Sequence, residues 1–207
     1  MRKVILVEGK QDAEFIKVLA PDIETRKIEI KELSGAGKDN SKSLRIALDG
    51  VRNDALLESI EKIGILLDLD PADFSLESKL NFLNTALEEV FGIRINNMNE
   101  FQLIPQLEAS IACYFINPNL DVLLRQIAAK PSPRANCLYA CLEKQENVKQ
   151  KEREKAWPLY YMRWDICEAK ERENGVKCVN FTYTYSRGAW NLEAPVLADL
   201  KLFLALF

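Results

Sequence analysis

The stretch "GILLDLDPAD" (64–73) sets Asp68 and Asp70 directly behind an apolar run, and "KVILVEGK" (3–10) does the same with Glu8. Both runs are continuously apolar, the pattern of strands covered on both faces. In an open α/β sheet, ligands sit outside the carboxyl ends of the strands, where all three acids fall. Residues i and i+2 of an extended segment project to the same side, roughly 6.6 Å apart by the strand rise. Asp68 and Asp70 are therefore expected to share a direction, with Leu69 turned away. If the two strands are neighbours at about 4.8 Å, Glu8 comes within reach of the pair. Three converging carboxylates repel one another, and a divalent cation offsets that repulsion. Oxygen-only ligands that leave positions for water and phosphate suit Mg²⁺ or Mn²⁺ better than a closed Ca²⁺ cage. Taken singly, each acid has an ordinary explanation: Asp68 starts a turn before Pro71, Asp70 caps a helix, and Glu8 pairs with Lys10. The constellation carries the signal.

Composition narrows the chemistry further. The chain contains no histidine among its 207 residues. That excludes Ser-His-Asp and Cys-His nucleophilic chemistry, zincin motifs and ordinary Cys/His zinc sites. Acid–base work must fall to carboxylates, lysine, tyrosine or metal-bound water. The formal net charge is -3, from 28 Lys+Arg against 31 Asp+Glu, so coating of nucleic acid by bulk charge is not expected, although a local basic face is compatible with it. The five cysteines (Cys113, Cys137, Cys141, Cys167, Cys178) form no CxxC arrangement and are expected to be reduced and mostly buried. No apolar stretch approaches the roughly 18 to 20 residues that span a bilayer. A cytoplasmic protein that does not enter the membrane is the expectation.

The elements that position the acids follow from hydrophobic periodicity. A strand over 3–7 leads into a helix carrying Ala13, Ile16, Leu19 and Ala20, stopped by Pro21. "KIEIKEL" (27–33) alternates like an edge strand, "SGAGKDN" (34–40) is a loop, and 41–51 is a helix with Ser41 as N-cap. A buried strand covers 62–70, so the β-α-β-α-β order argues for a parallel sheet flanked by helices. A helix over 75–92 buries Leu76, Leu80, Leu83, Leu87 and Val90 and stops at Gly92. Beyond it are expected a strand (109–118), a helix (121–130), one long helix (135–157), a late strand (176–185) and a closing helix (194–207). The expectation is one α/β domain over 1–207, with a core unit over 1–120 and a C-terminal elaboration over 121–207 that adds a strand and helices.

"VILVEGKQDAEFI" (4–16) followed by "GILLDLD" (64–70) resembles the Toprim domain. That Rossmann-like E…DxD unit occurs in topoisomerases, bacterial primases, recombination-repair proteins and the overcoming-lysogenization-defect nucleases. The resemblance covers the first 120 residues in order and type of elements. It implies that Glu8, Asp68 and Asp70 hold Mg²⁺ and act on phosphodiesters. The later part, with "NPNLD" (117–121), looks most like small stand-alone bacterial Toprim-like proteins without assigned function; the resemblance implies that Asp121 takes the place of a glutamate common in them as a further metal ligand, while asparagine stands at the first acidic position of that segment. The DxD segment continues as "DLDPADFSLES" (68–78), without the glycine and basic residues usual in topoisomerase- and primase-type members.

The other motifs have simpler explanations. "SGAGKDN" is not a P-loop, because Glu32 stands where a glycine is needed and Asp39 where Ser or Thr is needed. Gly35 and Gly37 could let backbone approach a phosphate in the Toprim setting. Lys10 is a candidate electrostatic helper at a scissile phosphate, or a solvated cation near a helix start. Asp12 is read as a helix N-terminal acid. Trp157, Tyr160, Tyr161 and Trp164 beside Arg163 could stack bases, although their spacing is that of a buried helical stripe.

The leading expectation is a Mg²⁺-dependent nuclease-type Toprim protein acting on DNA or RNA through Glu8, Asp68, Asp70 and Lys10. The alternative is a non-catalytic binding or regulatory subunit working with a separately encoded ATPase. A third, primase-like nucleotidyl transfer, lacks the accompanying zinc-binding and polymerase segments.

Overall fold

The computed structural model describes residues 2–33, 40–70, 75–173 and 177–207. The loop expected at 34–40, with Gly35 and Gly37, and the turn at Pro71 lie outside the described residues, except for Asn40. The chain runs β1 (Arg2–Val7), α1 (Lys10–Leu19), β2 (Ile28–Glu32), α2 (Asn40–Leu57), β3 (Ile60–Asp68), α3 (Leu76–Phe91), β4 (Gln102–Ile104) and β5 (Ala109–Ile116). There follow α4 (Leu120–Gln126), α5 (Pro133–Glu143), α6 (Gln150–Tyr160), a π-helical turn (Tyr161–Ile166), α7 (Ala169–Glu173), α8 (Phe181–Ser186) and α9 (Ala198–Ala205). Two compact units result: Met1–Pro118 with Asp199–Phe207, and Asn119–Ala198.

The first unit is an α/β sheet of Rossmann-like type. Its strand order is β2-β1-β3-β5-β4, parallel throughout except for β4, which runs antiparallel to β5. The parallel part follows from β-branched, near-continuous apolar strands joined by crossover helices. On one face Val4, Leu6, Ile63, Ile65, Leu67, Ile111 and Phe115 pack with Leu44, Leu48 and Val51 of α2 and with Leu83, Leu87 and Val90 of α3. On the other, α9 lies over Gly64, where an added Cβ would sit 2.8 Å from Phe207 Cζ and 3.1 Å from Ile5 Cγ1. The last carbonyls of that C-terminal segment are met by cations, Arg26 donating to Leu204 O, Lys62 to Leu206 O and Lys3 to Phe207 O.

The second unit is helical and departs from expectation in three places. The helix expected over 135–157 is two, because 143–147 are exposed and bury nothing that would reward continuing. α6 restarts where Lys149 N–H donates to Glu152 Oε2 at 3.0 Å. The extra C-terminal strand over 176–185 is not formed: 177–179 is a 3₁₀ turn and Phe181–Ser186 is helical. Asn180 caps that helix by accepting the Tyr183 N–H at 2.9 Å, and Phe181 and Thr184 are buried at helical spacing, so capping and packing override the alternating β-branched pattern. Cys167 and Cys178 form a disulfide, which corrects the expectation that all five thiols are reduced. Of the others, Cys113 is buried and Cys137 and Cys141 are exposed.

Candidate functional site at the carboxyl rim of β1 and β3

Strand pairing brings the expected acids to one rim. Val7 of β1 is opposite Leu66 of β3, so Glu8 leaves its strand beside the last residues of β3. Glu8 Oε1 accepts the backbone N–H of Asp68 at 3.0 Å, tying the two strand ends together. Asp68 is the last residue of β3 and is half-buried.

Asp70 departs from the geometry expected of it. Its φ is 49°, in the left-handed region, so the two-residue alternation of an extended strand stops before it. Asparagine and aspartate are the non-glycine residues that take this conformation most readily. Leu69 remains buried as expected. The backbone is held there by β5 and the residues after it, Leu69 N–H donating to Ile116 O at 2.9 Å and Asp70 N–H to Pro118 O at 2.8 Å. The shared direction of Asp68 and Asp70 therefore no longer follows from strand geometry.

The cation at this rim is one that the sequence reading missed. Lys79 Nζ stands 3.9 Å from Glu8 Oε1, with only 5% of the Lys79 side chain exposed against 30% for Glu8. Lys79 enters from the first turn of α3, whose start is fixed by Ser75 accepting the Ser78 N–H at 3.1 Å. The signal was present in the helical stripe. Lys79, Leu83, Ala86 and Val90 fall on one buried face, with a lysine at the first position, whereas Leu76 is exposed. Lys10, the candidate helper, is placed on the first turn of α1 with 82% of its side chain exposed and its ammonium 3.9 Å from Glu14. Asp12 accepts the Gly9 N–H at 3.0 Å, the ordinary role of a helix N-terminal acid.

Lys79 also links the rim to a cleft. Its ammonium lies 5.8 Å from the centroid of Phe82, and Phe82 lines a cavity of about 280 Å³ between α2 and α3 with Ser41, Lys42, Arg45, Thr85 and Glu89. Arg45 is 3.3 Å from Glu89 across that cleft.

In the second unit, Asp121 is a half-buried first-turn acid of α4, behind the N-cap Asn119, whose side chain accepts the Val122 N–H at 3.0 Å. The aromatic stretch divides there: Trp157 and Tyr161 are buried, while Tyr160 and Trp164 are each 38% exposed.

The donor chemistry fits a hard cation in kind. Among the described residues no three His, Cys, Asp or Glu side chains gather closely enough to cage a metal ion. Mg²⁺ does not need such a cage, since it keeps several waters and binds through one or two carboxylates together with substrate phosphates. Glu8 and Asp68, half-exposed on adjacent strand ends, meet that lesser requirement. No curated protein and no solved structure matches the chain. The family described as "Protein of unknown function (DUF3226)" matches residues 2–207, and by that match over nearly its whole length the chain belongs to this family.

Proposed function

We propose that the chain cleaves phosphodiester bonds in DNA or RNA at the carboxyl rim of β1 and β3, in the manner its Toprim-like sequence implies. The observation that carries the reading is the bond from the Asp68 amide to the Glu8 carboxylate, which joins acids sixty residues apart at one strand-end rim. Glu8 and Asp68 would hold Mg²⁺ or Mn²⁺, with Asp70 the next acid along the same loop. A bound divalent ion supplies an activated water and offsets charge on the phosphate. The chain's own part is to fix and orient. Strand pairing sets the Glu8–Asp68 separation. With no histidine in the chain, proton transfer at this rim falls to carboxylates, lysine or water. Asp121, also expected as a metal ligand, is not used in this reading. A cytoplasmic location accompanies it. No helix among the described residues is long and apolar enough to cross a membrane.

A second reading has one observation in its favour. Lys79 offsets the charge of Glu8 without any metal, as a non-catalytic rim would need, and a regulatory subunit working beside a separately encoded ATPase would have such a rim. Incubation of plasmid DNA and single-stranded RNA with Mg²⁺ or Mn²⁺ separates the two. Cleavage that drops by at least about a hundredfold in both Asp68→Asn and Glu8→Gln supports the nuclease reading. Cleavage that survives both variants removes the site, and no cleavage of either substrate under any condition favours the subunit.

A further inference from the structure

Lysine is among the residues least often fully buried, and when it is buried it is paired. Lys79 is buried on the core face of α3, and its ammonium is directed at Glu8, the carboxylate that also receives the Asp68 amide. Glu8 therefore has three elements converging on it: its own strand β1, the end of β3 and the first turn of α3. Phe82 adds an aromatic ring 5.8 Å from the same ammonium, a further favourable surrounding for a cation taken out of water. A lysine reaching in from a stripe position is fixed by the packing of its helix, unlike Lys10, whose side chain is 82% exposed and faces Glu14 one turn on. The positive charge is thus built into the rim itself.

We propose that the ammonium of Lys79 is the resident cation of this rim. It positions Glu8 against β3, and a divalent ion reaches Glu8 only in competition with it. The proposal rests on the metal-binding reading above and adds to it the residue that sets how tightly, and whether, a divalent ion is held. Charge repulsion gives the sign: an ammonium at this distance from a ligand oxygen disfavours a second cation on that oxygen. Removing the ammonium while keeping an apolar side chain of similar length should tighten the site, and an arginine should leave it as it is.

Mn²⁺ binding to the purified chain, followed by the electron paramagnetic resonance signal of the free ion, tests this without reference to activity. Lys79→Met should bind Mn²⁺ on the order of tenfold more tightly than the parent. Lys79→Arg and Lys10→Met should stay within about twofold of it. Glu8→Gln and Asp68→Asn should lose the site. If those two acid variants abolish binding and Lys79→Met does not tighten it, the metal reading stands and the resident cation is overturned. If the acid variants bind Mn²⁺ as the parent does, the metal reading falls and takes the proposal with it. Should Lys79→Met fail to fold, amine acetylation of the parent chain read by mass spectrometry decides. Mn²⁺ should raise the reactivity of Lys79 severalfold while leaving Lys10 unchanged, and an unchanged Lys79 overturns the proposal.

Discussion

The two units bury different chemistry. In the first, the core is aliphatic and layered: Val4, Leu6, Ile63, Ile65 and Leu67 on the sheet against leucines and valines of α2 and α3. In the second, rings stack face to face and edge to face, Trp157 on Tyr161 at 5.0 Å, Tyr161 on Trp190 at 5.1 Å and Trp190 on Phe181 at 5.0 Å. The stack is also hydrogen-bonded. Trp190 Nε1 donates to Thr184 Oγ1 at 2.9 Å, and Tyr161 OH donates to Ala189 O at 2.9 Å and accepts from Lys130 N–H at 3.1 Å. A sheet core gains uniqueness from strand register, which the backbone supplies. Short helices have no register, so directional side-chain contacts take over that task.

The difference between the two cores shows most directly at Trp190. Trp190→Ala removes a stacked face, an edge contact and a hydrogen-bond donor together, and should destabilise by about 4 kcal/mol. Ile65→Ala in the middle of β3 removes apolar contacts alone and should destabilise by about 3 kcal/mol. Urea unfolding followed by circular dichroism measures both. Equal losses, or a smaller one at Trp190, would mean that the aromatic column contributes only its buried area.

What could be read from sequence follows the same division. β1, β2, β3 and β5 were readable because their apolar runs or alternation leave no other way to bury them, and α3 because its stripe ends at Gly92 in the left-handed conformation. β4 was not foreseen. With three residues against β5, it is too short for a periodic signal. In the second unit the alternation of "VNFTYTY" (179–185) suggested a strand, whereas Asn180 and the stack made a helix. The start of α5 is likewise held by a distant residue, Asp165 accepting from the N–H groups of Arg134 at 3.1 Å and Ala135 at 2.9 Å. The placing of Glu8 and Asp68 at one rim was legible because strand ends are positions that topology fixes. Lys79 was missed because its position at the rim depends on which side of α3 faces the sheet, and the left-handed conformation of Asp70 because one sequence carries no sign of the hydrogen bond from its N–H to Pro118 O.

At Gly64 the layers of the first unit meet too closely for any side chain. A methyl group there meets Phe207 Cζ at 2.8 Å, Ile5 Cγ1 at 3.1 Å and Phe203 Cζ at 3.3 Å. Gly64→Ala should destabilise by about 2 kcal/mol through overpacking. Phe207→Leu in the same chain should recover part of that loss, since it withdraws the closest atom. Thermal melts of the single and double variants measure the coupling, and simple additivity would show that α9 yields rather than resists.

The cysteines give the smallest effect and the finest contrast. Cys113 lies in β5 in the sheet core, and burial pushes its thiol up to about 12, whereas Cys137 and Cys141 are exposed on α5. Thiolate is the reactive form, so iodoacetamide at pH 8.5 should label Cys137 and Cys141 within minutes and leave Cys113 unmodified in the folded chain. Because the folded thiol titrates above the unfolded one, near 9, its contribution to stability is complete below about pH 9. It is then lost as the pH rises towards 12. Tyr114, also raised by burial and then by Asp199, adds to the same decline, but it does so only above the ordinary tyrosine range near 10. Between pH 9 and 10 the slope of stability against pH therefore belongs mainly to Cys113, and Cys113→Ala should flatten it, so that the cost of the substitution is full below about pH 9 and shrinks as the pH rises. A slope unchanged by that substitution would place the alkaline sensitivity elsewhere and leave the sheet core less sealed than its packing implies.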